Sequence, residues 1–470
     1  MRVKFVTRLS NDLCSMRFLA TCKRASFFQA VNHRREGFTS SIEPGEEYGA
    51  HGPLVGVKVL DLGQVVAGNF AGALLSYFGA TVYKVEPPKG DALRSLRLLD
   101  DSGTSLWWRA HGRNRLCMTA DLHTPQGREL VKKLSEKVDV LLENFRPGVM
   151  EGWGLGPADL NPNLIYARIS GYGQTGPKAK EPGYASVSEA FGGFRHVNGY
   201  PDRPPVRPNI SLGDTLAGLH AAFGSVMALL HRHKSDGKDQ GQVVDASISE
   251  SVFNIMEACV TEYVMTGQDR PPSGSTISDV VPSGTFRCSD GRFVVIGGNG
   301  DSVYSRLMEA IGRPDMTTAN PMYSNNAVRC QRVDEIMGEI EQWCAKRPLH
   351  EVVEAMKSAR VPSGPILSTS DIVKEPQFIA RGMIQKAPSF SSLFTSDPHS
   401  NEPGSDEWHT QTGFTGKSFT VPAMLPVLSR SPGGTRWAGP ELGQHTDYIL
   451  KHELNMTDVQ IQELRDSGAV

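Results

Sequence analysis

The sequence lacks any apolar run approaching about 18 residues, the length from which a membrane-spanning helix is considered. Although 39% of the residues are hydrophobic, we therefore expect no membrane span. There is no H-E-x-x-H motif, no Walker A motif and no group of clustered cysteines, so the sequence predicts no metal site and no P-loop. Its seven cysteines are scattered without a C-x-x-C pair, which favours reduced thiols over a disulfide framework.

Neither sign of charge dominates the chain, whose formal net charge is -2, but the N-terminus differs from the rest. Residues 1–41 contain eight Lys and Arg against two Asp and Glu. An arginine-rich, acid-poor leader is typical of a mitochondrial transit peptide and predicts a location in the mitochondrial matrix, with a basic tail as the alternative. The mildly acidic remainder gives no reason to expect nucleic acid binding.

Strand and helix patterns alternate over the first half of the chain. A buried strand at 57–62, an apolar helix at 70–78 and a strand at 81–85 form a βαβ unit, which predicts a parallel sheet. Further strands are predicted at 138–142 and 164–169. Because ligands bind at the carboxyl ends of such strands, the loops that follow are candidate site loops, unless their glycines and prolines only punctuate turns.

The pattern changes after residue 270. Residues 271–283 are polar and typical of a linker, and Ser289-Asp-Gly291 between two β-rich runs predicts a hairpin. Helices are predicted near 301–312, 333–346 and 349–359. These elements indicate a smaller α+β domain, followed by an irregular surface loop at 389–418.

The stretch Asn209–His220 combines a predicted helix start with a carboxylate. A helix beginning at or just after Asp214 is predicted by apolar residues at spacings of three and four, namely Leu216, Leu219, Phe223, Val226 and Leu230. Aspartate is a favoured N-cap, and the helix dipole keeps a carboxylate ionised there. The same position would suit a nucleophile, so the spacing alone leaves both interpretations open.

Short motifs recur in a fixed order from about residue 53 to the end. They are Val59-Leu-Asp-Leu with Ala67-Gly68, Lys84-Val-Glu86, Glu143-Asn-Phe with Pro147-Gly148, Gly171-Tyr-Gly-Gln-Thr-Gly-Pro177 with Pro182-Gly-Tyr184, Gly213-Asp214, and Leu442-Gly-Gln-His-Thr446. As an ordered set they resemble the class III CoA-transferase family, which includes formyl-CoA transferase and the related α-methylacyl-CoA racemases.

This resemblance implies an α/β fold with a large Rossmann-like parallel-sheet domain built from both chain ends and a smaller α+β domain. It also implies a homodimer of interlocked, ring-like subunits. Together with the sequence pattern it predicts a transit peptide at 1–41, the first part of the CoA-binding Rossmann-like domain at 42–270, the small domain at 275–385, and an irregular loop with the return to the large domain at 386–470.

The resemblance further implies residue roles. Asp214 falls on the family's nucleophilic aspartate, which favours the nucleophile over the cap. Arg113 lies in a segment similar to the family's N-R-N-K-R, where it would clamp a substrate carboxylate, with a surface arginine as the alternative. Gly297-Gly298 is the candidate for oxyanion binding. The CoA contacts map to Gln64, Val66, Ala67, Asn144, Phe145 and Tyr184.

The chain departs from the family pattern at a few of these positions. Pro87 and Gly152 stand where some members have arginine, and Ala185 replaces the acidic residue that usually follows the tyrosine. Racemases have His-Asp in place of Tyr184-Ala185. Since tyrosine, with a pKa of about 10, is a poor proton carrier near neutral pH, the residues favour a transferase over a racemase.

The expected activity is CoA transfer from an acyl-CoA donor to a free carboxylic acid through an aspartyl covalent intermediate. The segment 200–207 and the leader resemble dicarboxylate CoA-transferases that use succinyl-CoA, so succinyl-CoA and a dicarboxylic acid are the expected substrates. CoA thioesters would act as substrates, with no permanently bound cofactor. A non-catalytic CoA-binding protein is the alternative of another class.

Overall fold

The computed structural model describes residues 51–235, 240–389 and 418–470. The predicted transit peptide at 1–41 lies outside the described residues, and so does most of the loop predicted at 389–418. The boundaries predicted for the four regions stay predictions.

Six parallel strands form one sheet in the order β3-β2-β1-β4-β5-β6. The strands are β1 (Lys58–Asp61), β2 (Thr81–Glu86), β3 (Arg115–Thr119), β4 (Val140–Glu143), β5 (Ile165–Ser170) and β6 (Val243–Ser247). This is the strand order of a dinucleotide-binding Rossmann fold, and it confirms the predicted parallel-sheet domain. Strand β3 was not predicted, because it begins with Arg115 and its apolar run of Leu116, Cys117 and Met118 is too short to indicate a strand.

The sheet is covered on both faces, as parallel sheets are. Every residue of β4 and β5 is buried, so these strands lack the polar alternation of a half-exposed sheet. The helices of this part of the chain are α1 (Ala67–Tyr77), α2 (Leu106–His111), α3 (Pro125–Ser135), α4 (Val149–Gly152), α5 (Ala185–Phe191), α6 (Phe194–Val197), α7 (Leu212–Lys234), α8 (Ile248–Phe253) and α9 (Cys259–Thr266), with a 3-10 turn at Ala92–Ser95.

A second, smaller sheet follows. Strands β7 (Ser283–Arg287) and β8 (Phe293–Gly297) pair antiparallel, as the hairpin signal predicted, and β9 (Ser363–Pro365) pairs with β8. A separate apolar cluster between positions 281 and 361 forms the core of this part. Its helices are α10 (Asp301–Ala310), α11 (Asn326–Cys330), α12 (Val333–Ala345), α13 (Leu349–Ser358), α14 (Thr369–Ile372) and α15 (Pro376–Ala380), with 3-10 turns at Pro314–Met316 and Pro321–Tyr323.

The C-terminal segment packs back on the first domain. Strands β10 (Ile384–Pro388) and β11 (Ser418–Pro422) pair antiparallel, and α16 (Thr446–His452) and α17 (Asp458–Asp466) follow. The His445 Nδ1 atom accepts a hydrogen bond of 3.0 Å from the Cys117 backbone N–H in β3. The indole of Trp108 donates to the Pro440 carbonyl over 2.9 Å. The large domain is therefore built from both ends of the described chain.

Helix α7 faces the sheet with its small residues and not with its large ones. The residues buried are Gly213, Ala217, Gly218, Ala221, Ala222, Ser225 and Ala228. The apolar series that predicted the helix points the other way, so that Phe223, for example, is 58% exposed. By length and composition α7 could cross a membrane, but core helices of soluble proteins pass the same test, and α7 connects two strands of one sheet.

The small face of α7 allows a close approach to α1. A Cβ atom added at Gly218 would lie 2.5 Å from the Ala67 carbonyl oxygen and 3.3 Å from the Ala71 nitrogen. Both of these atoms belong to the α1 backbone, which cannot move aside as a flexible side chain could. Glycine at position 218 therefore fixes the distance between the second turn of α7 and the first turn of α1.

We expect Gly218→Ala to force the two helices apart and to lower the free energy of unfolding by about 1–3 kcal/mol, the usual cost of overpacking. Gly338→Ala in helix α12 is the matched control, because nothing lies within 4 Å of an added Cβ there. That substitution should be neutral or stabilise by about 0.4–1 kcal/mol. Urea unfolding of both variants measures the difference, and equal stabilities would contradict the tight contact.

Candidate active site

The predicted site loops meet at one edge of the large sheet. Strands β1 and β4 are neighbours and parallel, so the loops that follow them, carrying Gln64 and Asn144, leave the sheet at its carboxyl edge. Helix α7 runs from the carboxyl edge back to the start of β6, which places Asp214 in its first turn at the same edge. The contact between Gly218 and Ala67 brings this turn next to the loop after β1.

Asp214 is the third residue of α7, whose N-cap is Ser211. The N-cap interpretation is therefore wrong, since a cap precedes the first helical residue. The carboxylate still lies in the first turn, where the helix dipole favours a negative charge. It is half-buried, and among the residues that the structure describes no group donates a hydrogen bond to it.

Glu189 of helix α5 lies beside the nucleophile candidate. Its side chain is fully buried, and its Oε1 atom accepts a hydrogen bond of 3.2 Å from the Gly213 N–H. Glycine is needed at 213, because a Cβ atom there would lie 3.2 Å from Cγ of Glu189 and 2.9 Å from Cγ2 of Ile248. Helix α5 thereby holds the first turn of α7 in place through a buried carboxylate.

Two arginines neutralise Glu189. The Nη2 atom of Arg195 lies 3.4 Å from Oε2 of Glu189 and donates to the Ser186 hydroxyl over 2.8 Å. The Nε atom of Arg207 lies 3.5 Å from the same carboxylate oxygen. A buried carboxylate would be costly without such partners, so the three side chains form one charge cluster around the start of α7.

These surroundings raise the pKa of Asp214 from 3.8 to about 6. Burial makes the largest contribution because it disfavours the charged form, and the negative charge of Glu189 adds to it, whereas Arg207 acts in the opposite direction. Asp214 is therefore ionised above about pH 6, yet poorly solvated and more basic than a free aspartate. Both properties suit a carboxylate that attacks a carbonyl carbon.

The loop after β1 is fixed to the loop after β4 by two reciprocal hydrogen bonds. The backbone N–H of Gln64 donates to the Asn144 side-chain oxygen, and the Asn144 amide donates to the Gln64 carbonyl, each over 2.7 Å. Val66 and Ala67, the other predicted CoA contacts here, are buried at the start of α1. Between them and Gln64, Val65 has a φ of 60°, which a β-branched residue rarely adopts.

A buried polar network holds this strained loop. The Asp91 carboxylate accepts the Val65 N–H over 2.9 Å and the Asn69 amide over 2.6 Å. The Lys84 Nζ atom lies 3.4 Å from Oδ2 of Asp91 and 3.7 Å from Oδ1 of Asp61. It also donates a hydrogen bond to the Gly63 carbonyl. The four polar side chains of this network, Asp61, Asn69, Lys84 and Asp91, are all buried. The sequence analysis missed its supporting role, because these residues are far apart in the chain and lie in segments that predict strands or loops.

Phe145 and Tyr184 occupy different surroundings. The Phe145 ring meets Trp153 edge to face at 5.2 Å, and Trp153 meets His123 in the same way at 5.6 Å. Tyr184 precedes helix α5 and is 77% exposed. Its segment is held at the carboxyl edge of β5, since Gly183 approaches Gly171 so closely that a Cβ at 171 would lie 2.9 Å from the Gly183 Cα.

Arg113 is not at this edge. It precedes β3, which begins at Arg115, and therefore lies toward the amino edge of the sheet. Its side chain is 1% exposed, which excludes the alternative of a surface arginine. It donates to the carbonyls of Ala110 and Pro422 over 2.5 and 2.6 Å. These contacts join the C-terminal strand β11 to the large domain and argue against the predicted substrate clamp.

The candidate oxyanion donors are also occupied. The N–H of Gly297 donates to the Pro362 carbonyl and that of Gly298 to the Pro282 carbonyl, each over 2.9 Å. Because both N–H groups are used within the small domain, this interpretation of Gly297-Gly298 is wrong for the observed conformation. Within the described ranges, no group of histidine, cysteine and acidic residues could hold a metal ion.

Sequence reasoning missed Glu189, Arg195 and Arg207 as site residues. Glu189 is four positions after Ala185, where the family has its acid, and one helical turn separates them. This four-residue spacing could have indicated that Glu189 replaces the acid missing at Ala185. Arg207 belongs to the segment 200–207, which was noted only for its resemblance.

Comparisons with known proteins identify the family of this chain. The model of CoA-transferase family III matches residues 54–396. A succinyl-CoA–D-citramalate CoA-transferase of Chloroflexus aurantiacus is 40% identical over 417 residues, which cover 88% of this chain and 97% of the relative. The human succinyl-CoA:glutarate CoA-transferase is 28% identical over 462 residues, covering 97% of this chain and 98% of the relative.

Solved structures give the same result. A CAIB/BAIF family protein from Brucella suis superposes with a TM-score of 0.71 at 26% identity, covering 86% of this chain and all of that protein. The family match spans the β1 loop, the Asn144 loop and the Asp214 turn. The chain thus belongs to CoA-transferase family III, as its motifs predicted, and is an enzyme that uses CoA thioesters.

Proposed function

We propose that this enzyme transfers CoA from succinyl-CoA to a dicarboxylic acid, with Asp214 as the covalent nucleophile. The observation that carries the proposal is the Asp214 carboxylate itself, which is half-buried at the carboxyl edge and receives no hydrogen bond from the described residues. It lies one helical turn from the α7–α1 contact and hence beside the loop of Gln64 and Val66. A thioester bound along that loop would present its carbonyl to the carboxylate.

The reaction proceeds in balanced steps. A carboxylate oxygen of Asp214 attacks the thioester carbonyl and the C–S bond breaks. CoA leaves as thiolate, and a mixed anhydride of Asp214 and the acyl group remains on the enzyme. The thiolate then attacks the aspartyl carbonyl and releases the donor acid, which leaves an aspartyl-CoA thioester. The acceptor carboxylate attacks the aspartyl carbonyl of this thioester, the C–S bond breaks, and CoA leaves again as thiolate, which gives a second mixed anhydride. Attack by the thiolate on the acceptor's carbonyl gives the new acyl-CoA and restores Asp214.

The choice of substrates rests on relatives. The named relatives from Chloroflexus aurantiacus transfer CoA from succinyl-CoA to D-citramalate or L-malate, and the human relative uses glutarate. All three acceptors are dicarboxylic acids. Cationic side chains beside Asp214 suit such substrates, because the second carboxylate stays charged throughout the reaction. The exposed tyrosine at position 184, in place of a histidine, supports transfer over racemisation.

Asp214→Asn tests the nucleophile directly. The amide preserves size and polarity but is a poor nucleophile, so we expect the CoA transfer rate to fall by at least about 10⁴-fold, in line with the loss of a covalent catalyst. Wild-type enzyme mixed with succinyl-CoA should gain the mass of CoA less water on the peptide that carries residue 214. Near-normal transfer by the folded Asn variant would overturn the assignment.

Stability shows whether that variant is folded and whether Asp214 titrates as described. Its folded-state pKa of about 6 is above the unfolded value of 3.8, so the folded state binds the proton more tightly. The stability that protonation confers is complete below pH 3.8 and is lost as the pH rises through 6. Asparagine avoids this loss, and Asp214→Asn should therefore unfold at a higher temperature than wild type at pH 8 but not at pH 4.

Glu189→Gln tests the charge cluster. Removal of its negative charge should lower the pKa of Asp214 from about 6, so the acidic limb of the pH profile of kcat/KM should move to lower pH. Glu181→Gln is the control, since Glu181 is exposed and pairs only with Lys178 at 2.8 Å among the described residues. A profile of Glu189→Gln that coincides with wild type would show that the two carboxylates do not interact.

The outward face of α7 supports a homodimer. Five exposed apolar side chains lie on one side of this helix, namely Leu219, Phe223, Val226, Met227 and Leu230. Helix α9 contains no buried residue, and its Val264 and Met265 are more than 70% exposed. A row of exposed apolar side chains on one helix face is typical of an interface. The polar carboxyl edge lies at the start of the same helix, so a second copy would pack beside the active site.

Phe223→Glu should convert a wild-type dimer to monomer in sedimentation velocity experiments, because a charge would be buried without a partner. Val459→Glu is the matched control: Val459 is a single exposed apolar residue of helix α17 and its replacement should leave the dimer intact. A monomeric wild type, or a Phe223→Glu variant that stays dimeric at micromolar concentration, would contradict an interface on α7.

A further inference from the structure

Arg207 has more capacity for binding than its partners use. Among the described residues its one ion pair is with Glu189, at 3.5 Å through Nε, and its side chain is 43% exposed. A guanidinium has five N–H donors arranged to bind a carboxylate through two parallel hydrogen bonds. The terminal part of Arg207 can therefore accept an anionic ligand while Nε stays near Glu189.

Arg195 lies on the other side of the same carboxylate and is also incompletely paired. Its Nη2 atom donates hydrogen bonds to Ser186 and Glu189, but its buried Nε atom has no hydrogen-bond partner. A buried donor without an acceptor is unfavourable, so the cluster has an excess of donors. A second carboxylate bound at this cluster would supply hydrogen-bond acceptors for the two guanidinium groups.

The charge of the cluster changes during the reaction. With Asp214 ionised, the two carboxylates of Asp214 and Glu189 balance the two guanidinium groups. Once Asp214 is esterified as an anhydride or a thioester it is neutral, and the cluster carries a net charge of +1. The cluster would therefore attract an anion more strongly in the covalent intermediate than in the free enzyme.

The structure assigns Arg207, supported by Arg195, as the subsite for the remote carboxylate of a dicarboxylic acyl group whose other carboxyl carbon reacts at Asp214. This assignment rests on the proposed function and adds to it the group that selects dicarboxylic over monocarboxylic substrates. Glu189 keeps Arg207 near the nucleophile through their 3.5 Å contact. Its own hydrogen bond from Gly213 links the subsite to the turn that carries Asp214.

Two acyl-CoA donors with acyl chains of equal length provide the test. Succinyl-CoA and butyryl-CoA differ only in a terminal carboxylate against a methyl group, and both leave the same aspartyl-CoA adduct after the acid departs. The rate of adduct formation is measured by intact-protein mass spectrometry after rapid mixing. Wild type should form the adduct faster with succinyl-CoA, and Arg207→Gln should reduce this preference by about 10- to 100-fold, as expected for a lost charge-assisted hydrogen bond.

Two further variants separate binding from structure. Arg203→Gln removes an exposed cation of the same segment, which pairs with Asp202 at 3.9 Å, and should keep the wild-type preference. Arg207→Lys retains the charge without the planar fork and should restore part of the preference. A fold defect would lower the rates with both donors and leave their ratio unchanged.

The outcomes distinguish the two proposals. If wild type forms no adduct with either donor, the proposed function fails and the subsite with it. If wild type forms adducts at equal rates with both donors, or if Arg207→Gln slows both by the same factor, the nucleophile stands and the subsite is overturned. A preference lost in Arg207→Gln, kept in Arg203→Gln and partly restored in Arg207→Lys supports the subsite.

Discussion

The close approach of helices α1 and α7 is the constraint on which the site depends. It requires glycine at 218, where a Cβ would lie 2.5 Å from the Ala67 carbonyl oxygen, and it aligns the N-terminal turns of two helices that start at the carboxyl edge of the sheet. Asp214 comes from one of these turns, and the loop of Gln64 and Val66 leads into the other. A larger residue at 218 would separate Asp214 from the loop of Gln64 and Val66, the proposed nucleophile and the proposed thioester-binding loop, even if each stayed intact.

Around this contact, charge is arranged in two layers with different functions. The inner layer, Asp61, Lys84 and Asp91, is buried and hydrogen-bonded, and it fixes the backbone of the loop after β1. The outer layer, Glu189 with Arg195 and Arg207, borders Asp214. Only the outer layer is partly open to solvent, so only it can change partners when a substrate binds. Rigid support and adaptable recognition are thereby separated.

Local sequence patterns predicted the elements of the fold but not their orientation. The βαβ alternation predicted the parallel sheet and the loops at its carboxyl edge, because both follow from the spacing of strands and helices along the chain. The apolar series at 216–230 predicted a helix correctly, yet its large residues, such as Phe223, face outward while Gly218 and Ala221 face the sheet. Periodicity identifies an apolar face but not what covers it. A helix packed between a sheet and a proposed second subunit has two such faces.

The site could be predicted only in part, for a related reason. The family motifs predict a site at Asp214 and the β1 loop, which the structure brings to one edge of the sheet, but Arg113, also chosen from a motif, donates to backbone carbonyls at the opposite edge. The acid that the motif lacks at Ala185 has a counterpart one turn later at Glu189, on the same face of α5 because residues four apart are neighbours on a helix. A motif records positions along the chain, whereas an active site requires a charge at a point in space. A helix can supply that charge from either of two successive turns.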